Sequence, residues 1–332
     1  MMRADRAEKL ISLAALGFAI ELVLFKFLPD VSTAVIQQSR STLADFGEFE
    51  REYLVPGSVH HARFLGNYLL YDLARWLSRF FHSSDIRLHP LRVASGLLTP
   101  LYAYVGAAFA LLDRRQFDWR YFIVPYGLAV VIGLYVFYPA DMPALACLSI
   151  ALYFLLTRKR ALALLFMLVT GLFRETSFHM VALVLLWAWC DASVSLRERF
   201  LWIAAFALAF VAEYVTVRHF FPGPVSSAAG GIILDPRLVL LDRGMLSLTT
   251  ICSLGLAALF PLQCLVELRR VADGGDWQRR FFVLNCYAFP AWVLFYRMMN
   301  GNLAEFRMLY PAILPCMYGM AYAAQRRTVQ CV

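Results

Sequence analysis

Arg174 and Glu175 stand side by side in GLFRETSFHM, Gly171 to Met180, between the apolar runs ALALLFMLVT and VALVLLWAW. Both flanks have the composition of bilayer spans. Charges at such a depth are costly and mark a site whose partners should be named. Neighbouring helical residues project about 100° apart, so these two do not face each other and each needs another partner. An arginine in an outward cavity suits a phosphate, because its planar fork donates two parallel hydrogen bonds and never loses its charge. The other reading is a structural ion pair, Arg174 with Glu213 or with Asp141.

Two more groups of residues could take part in chemistry. Glu305 and Arg307, in AEFRMLYP, sit at the start of the last apolar run. They read as a second polar cluster on the same side as Arg174, or as interfacial anchors. Asp45, Glu48, Glu50 and Glu52 form an acidic group, followed by His60, His61 and Arg63. A carboxylate there could act as general base on a hydroxyl; a solvated acidic helix face is the alternative for each member. His60 and His61 are adjacent without a spaced third ligand, so no metal is indicated. Glu21, His179 and Glu213 fall inside apolar runs and read as buried hydrogen-bonding partners.

The elements that must position these groups follow from composition. Apolar residues make up 61% of the 332 and charged residues only 16%, against about a quarter charged in soluble domains. Mean hydropathy is +0.62, and the apolar residues come in runs of span length. The expected fold is all-α: a polytopic helical membrane protein, a single integral domain over residues 1–332. The net charge of +8 then reports orientation and anionic lipid; nucleic acid is not an expected partner. None of the seven cysteines falls in a long polar loop, so no disulfide framework is expected. The first run, Leu10 to Leu28, leads into FLPD without a small-residue cleavage site and reads as a retained anchor.

Six basic clusters separate the runs: Arg3/Arg6/Lys9, Arg114/Arg115/Arg120, Arg158/Lys159/Arg160, Arg197/Arg199, Arg269/Arg270/Arg279/Arg280 and Arg326/Arg327. Basic loops stay cytoplasmic. If all six do, the chain crosses about ten times, near 10–28, 91–112, 121–138, 143–157, 161–173, 177–190, 200–221, 247–267, 281–298 and 308–324, with both termini inside. Two crossings must then fit between Arg160 and Arg197, each arm of about 13 residues, or roughly 20 Å of helix, against a hydrocarbon core of about 30 Å. The RETS joint should therefore lie below the outer surface, in a cavity open to that side. The competing reading is one long tilted helix over 161–190. The largest outward loop runs over 30–90. In it Leu65, Leu69, Leu73, Trp76 and Phe80 share one helical face, opposite Asp72, Arg75 and Arg79, which predicts an amphipathic helix lying in the membrane surface.

This arrangement resembles the GT-C superfamily of membrane glycosyltransferases. The resemblance is carried by an acidic first outward loop with surface helices, by the intramembrane turn GLFRETSF with DMPALAC one hairpin earlier, by EFRMLYPAILP at the last span, and by HARFLGNYLLYDLA. It implies a bacterial inner-membrane enzyme that moves a sugar from a polyprenyl-phosphate or polyprenyl-diphosphate carrier to an acceptor hydroxyl on a glycan, lipid or protein, on the periplasmic side, without a cofactor. By the same resemblance, Asp45, Glu48 or Glu50 is the base. Arg63, Arg174 and Arg307 meet the phosphate, and Glu175 and Glu305 orient those arginines or bind sugar hydroxyls. A polymerase or ligase of lipid-linked polysaccharide and a flippase without chemistry are the other readings. A transporter would be expected to show paired repeats, and only one interrupted hairpin is visible.

Overall fold

The computed structural model describes residues 46–56, 64–80, 90–91, 93–94, 140–220, 248–271, 276–298 and 309–330. Among these the chain is helical throughout, with no strand. A short helix α1 (Phe46–Phe49) runs into a π-helical turn (Glu50–Leu54), followed by α2 (Phe64–Leu77). The bundle consists of α3 (Asp141–Leu156), α4 (Arg160–Phe173), a 3₁₀ turn (Glu175–Ser177), α5 (Phe178–Cys190), α6 (Leu196–Phe220), α7 (Leu248–Arg269), α8 (Trp277–Met298) and α9 (Tyr310–Gln330). These seven helices coincide with the last seven apolar runs. The runs at 10–28 and 121–138, and all but the start of 91–112, lie outside the described residues.

Among the described residues two helices, over Leu196–Phe220 and Thr250–Arg269, are long and apolar enough to cross a membrane. Pro143–Leu156, Arg160–Phe173 and Phe178–Cys190 are apolar but shorter. Fourteen residues of α4 and thirteen of α5 reach only about 20 Å at 1.5 Å per residue, short of a 30 Å core.

The basic loops gather at one end of the bundle. Arg158 pairs with Asp191 at 3.2 Å and lies 5.8 Å from the Trp277 ring. Arg160 pairs with Glu198, and the Gln278 amide donates to the Leu156 carbonyl at 3.1 Å. Arg326 pairs with Asp276 at 2.5 Å, and Glu267 takes both Arg327 and Arg270. The Arg160 guanidinium also sits 4.6 Å from the Trp187 ring. In one continuous helix those residues would be about 40 Å apart, so the chain doubles back at RETS. The long-helix reading of 161–190 is overturned.

Burial explains which helices hold the centre. Leu148, Leu152, Met167, Met180, Trp187 and Phe281 are sealed in one core, and the Tyr318 hydroxyl ties α9 to α3 by donating to the Ser149 carbonyl at 2.6 Å. Helix α6 does the opposite. Of its residues only Phe206 is buried, while Leu201, Leu208, Val211 and Val215 are exposed. Such a long exposed apolar face fits contact with lipid chains.

Asp276 sits in this basic end. Burial alone would raise its carboxyl, but the Gln278 amide, the Tyr322 hydroxyl and Arg326 outweigh it and hold the pKa below the ordinary 3.8. A carboxyl that titrates lower in the folded chain contributes stability above its unfolded pKa and loses it as pH falls through the folded value. Thermal unfolding of Asp276→Asn should therefore match wild type most closely in strong acid, fall below it as pH rises through the folded value, and stay below it above about 4; a constant difference from strong acid to neutral pH would show that Asp276 has no ionic role.

Candidate functional site

At the other end of the bundle α4 breaks open. The Arg174 amide closes the last turn onto the Thr170 carbonyl at 2.9 Å. Its backbone then turns extended, at φ −163° and ψ 152°, before the 3₁₀ turn. Arg174 is only 8% exposed, and its guanidinium pairs with Asp141, the first residue of α3. Of the two partners the sequence offered, the aspartate from YPADMP pairs with it. Both charged groups are buried, so each compensates the other's loss of water.

The turn has a second face. The Thr176 carbonyl can only accept, so His179 Nδ1 carries the proton and donates to it at 2.8 Å, leaving Nε2 to accept from the Tyr296 hydroxyl. Trp292 stacks on the imidazole at 5.0 Å between centroids. His179 is thus the buried hydrogen-bonding partner expected of it. On the α6 side Glu213 lays its carboxylate over Gly171, where a Cβ would stand. Beside it is a small open cleft with room for about one water molecule, lined in part by Ser177, Phe210, Glu213, Tyr214 and Arg218. The obstructing atoms at Gly171 are the far end of a flexible side chain. Gly171→Ala is accordingly expected to unfold within about 1 kcal/mol of wild type, the helix-propensity gain of alanine offsetting the displacement of Glu213. A loss of several kcal/mol in thermal unfolding would mean that the carboxylate cannot move.

Helix α2 reaches this end. Gly66 of α2 lies so close to Ala140 that an added Cβ would stand 2.7 Å from its Cα, and Leu65 joins Ala140, Ala144 and Phe173 in a small apolar cluster. The face that α2 turns to protein is Gly66, Asn67, Leu70 and Ala74. The stripe expected from periodicity is different: Leu69, Trp76 and Phe80 remain exposed. Protein covers the small-residue face because it permits close approach, and the bulky stripe stays exposed.

The remaining predicted site residues divide as follows. Glu50 begins the π-helical turn and is held by α2: it accepts from the Tyr71 hydroxyl and pairs with Arg75 at 3.4 Å, while Arg75 donates to the same hydroxyl at 2.7 Å. Glu48 lies in α1 and Glu175 opens the 3₁₀ turn next to Arg174. Asp45, Arg63, Glu305 and Arg307 lie outside the described residues, as does Glu21. Asp141 and Ser177 were the members that sequence reasoning did not single out as site residues. Asp141 had a usable signal, an acid at a helix start one hairpin before the arginine; a serine beside RET had none. No cluster of metal-ligating side chains occurs among the described residues.

Comparison with protein-family models, with curated proteins and with solved structures finds no match to this chain.

Proposed function

We propose that the chain is a polytopic membrane glycosyltransferase that takes a sugar from a polyprenyl-phosphate or polyprenyl-diphosphate donor and passes it to an acceptor hydroxyl of a glycan, lipid or protein. The observation that carries this reading is a buried arginine, anchored by an aspartate, at the break between two short apolar helices and at the opposite end of the bundle from the arginine-rich loops. An amphiphile with an anionic head and an apolar tail has reason to bind at such a place; a purely structural bundle has little use for a costly buried charge there. The exposed apolar length of α6 supports contact with lipid. With the basic loops cytoplasmic, the site faces outward, the membrane is the bacterial inner membrane, and about ten crossings leave both termini inside.

In this reading the acceptor oxygen attacks the anomeric carbon, the bond from that carbon to the phosphate oxygen breaks, and the electron pair leaves on the polyprenyl phosphate. Arg174 stabilises the charge that gathers there, and Asp141 holds the guanidinium in place. The acceptor's proton passes to a first-loop carboxylate, Asp45, Glu48 or Glu50. Arg63, Arg307, Glu175 and Glu305 complete the head-group contacts.

The reading is tested by release of polyprenyl phosphate from labelled polyprenyl-phosphate sugars by the protein in nanodiscs, with an acceptor extract present. Release should fall about a hundredfold or more in Arg174→Ala, the scale of losing one preorganised charge at a leaving group. Equal release by the two proteins would remove Arg174 from the reaction.

A further inference from the structure

We infer that the basic end of α6 is a seat for an anionic diacyl phospholipid, its phosphate held by Lys159 and Arg197 and one acyl chain laid along the exposed stripe of α6. The seat rests on the membrane reading and is independent of the transfer chemistry.

Charge comes first. In the described segments 156–160, 191–199, 267–271, 276–280 and 326–327, eleven Lys and Arg side chains stand against four acids. The acids are already engaged: Asp191 with Arg158, Glu198 with Arg160, Glu267 with Arg270 and Arg327, and Asp276 with Arg326. The surplus is therefore positive. Two of the remaining cations stand together. The Arg160–Glu198 pair joins the start of α4 to the first turn of α6, and Lys159 and Arg197 are its neighbours in the chain, both exposed. Neither has an acid partner among the described residues.

The apolar stripe comes next. Arg197, Leu201, Leu208, Val211 and Val215 follow one another at steps of four, seven, three and four along α6, so they share one helix face. The four apolar members are exposed, and Arg197 caps them at the basic end. Arg197 and Val215 are 18 residues apart (215 − 197), about 27 Å of helix, against a hydrocarbon core of about 30 Å. With the stripe among lipid chains, the arginine falls at the level of the head groups. Trp189, next to the last residue of α5, is 81% exposed, which suits an indole at the membrane interface. On α4, Leu162 and Leu165 are exposed within two turns of Lys159.

This arrangement selects the occupant. A phosphodiester accepts from a guanidinium and an ammonium at once, and its acyl chains match the leucine and valine stripe. A zwitterionic head group brings a cation of its own to the same positive surplus, so an anionic lipid is preferred. A second copy of the chain in the same membrane would bring its own Lys159 and Arg197 to the same level, which like-charge repulsion opposes.

Native mass spectrometry of the full chain, purified in detergent and titrated with phosphatidylglycerol or with phosphatidylcholine of the same acyl chains, reads the preference. Wild type should bind phosphatidylglycerol at least about fivefold more tightly. Lys159→Gln and Arg197→Gln should each lose about fivefold for that lipid and leave phosphatidylcholine unchanged, the scale of one cation at an anionic leaflet. Arg269→Gln, which removes an exposed arginine of the same end from α7, should bind as wild type does. A phosphatidylglycerol with a photoreactive acyl chain should label α6. Equal binding of the two lipids by wild type, equal losses in Arg197→Gln and Arg269→Gln, or labelling confined to other helices would overturn the seat. So would efficient cross-linking between two copies through Leu208→Cys in nanodiscs, which would put protein on the stripe. A chain that stays dispersed without detergent or lipid would overturn the membrane reading itself, whereas equal lipid binding by a chain that needs them overturns the seat alone.

Discussion

Asp141→Ala is expected to destabilise the protein by about 3–5 kcal/mol, because it leaves the Arg174 guanidinium buried without its carboxylate. The pair joins the start of α3 to the break after α4, so the loss falls on the junction that shapes the site. Removing both charges should behave differently. In Asp141→Ala/Arg174→Met the uncompensated charge is gone and an apolar side chain of similar length fills its place, a replacement that is often neutral or stabilising in buried pairs. Most of the stability should return, measured as unfolding temperature in detergent, while donor turnover stays absent. Recovery of turnover together with stability would show that the pair serves folding alone. Failure to recover stability would show that Arg174 holds more of the turn than its ion pair with Asp141.

Gly66→Leu should be the next most damaging change, at about 1–3 kcal/mol, the usual range for overpacking a close contact. Here the neighbours of a new side chain are the Cα, Cβ and N of Ala140, at 2.7, 2.9 and 3.1 Å. They are backbone and first side-chain atoms that cannot rotate away, unlike the carboxylate facing Gly171. The accommodation is a shift of α2 off the start of α3, one residue from Asp141. Activity should fall further than stability does, since α2 covers the end of the bundle where the pair lies. A proteolysis assay reports the shift directly: α2 should become more readily cut in Gly66→Leu than in the exposed-face control Tyr68→Leu. Equal cutting would mean that the contact with Ala140 carries no docking energy.

Much of the helical layout was legible from the apolar runs, because strongly apolar helices need little beyond length and hydrophobicity to declare themselves. Arg160–Phe173 and Phe178–Cys190 begin and end within a residue of the expected arms. The reversal between them was legible too, as a consequence of keeping basic loops on one side. Pairing was less so. Asp141 is 33 residues from Arg174 (174 − 141), and nothing in one chain's spacing distinguishes it from Glu213 as partner. The protein-facing side of α2 was not legible for a related reason: periodicity reveals an apolar stripe but not which residues pack closely on protein. Trp76 and Phe80 belong to the exposed side, while glycine, asparagine and alanine make the closer protein contact. The burial of Ser177 was illegible altogether, since it is a property of the fold and not of the residue type.

The central claim is that Arg174 acts on a lipid-linked sugar and does not merely hold two helices together. The most direct measurement is incorporation of labelled sugar from a panel of polyprenyl-phosphate sugars into an acceptor extract, by wild type and by the charge-exchanged Asp141→Arg/Arg174→Asp protein, both confirmed as folded in nanodiscs. The exchange keeps an ion pair across the same junction and reverses its direction. The account predicts transfer by wild type and none by the exchanged protein. Transfer by both at similar rates would contradict it and reduce the pair to a structural clamp.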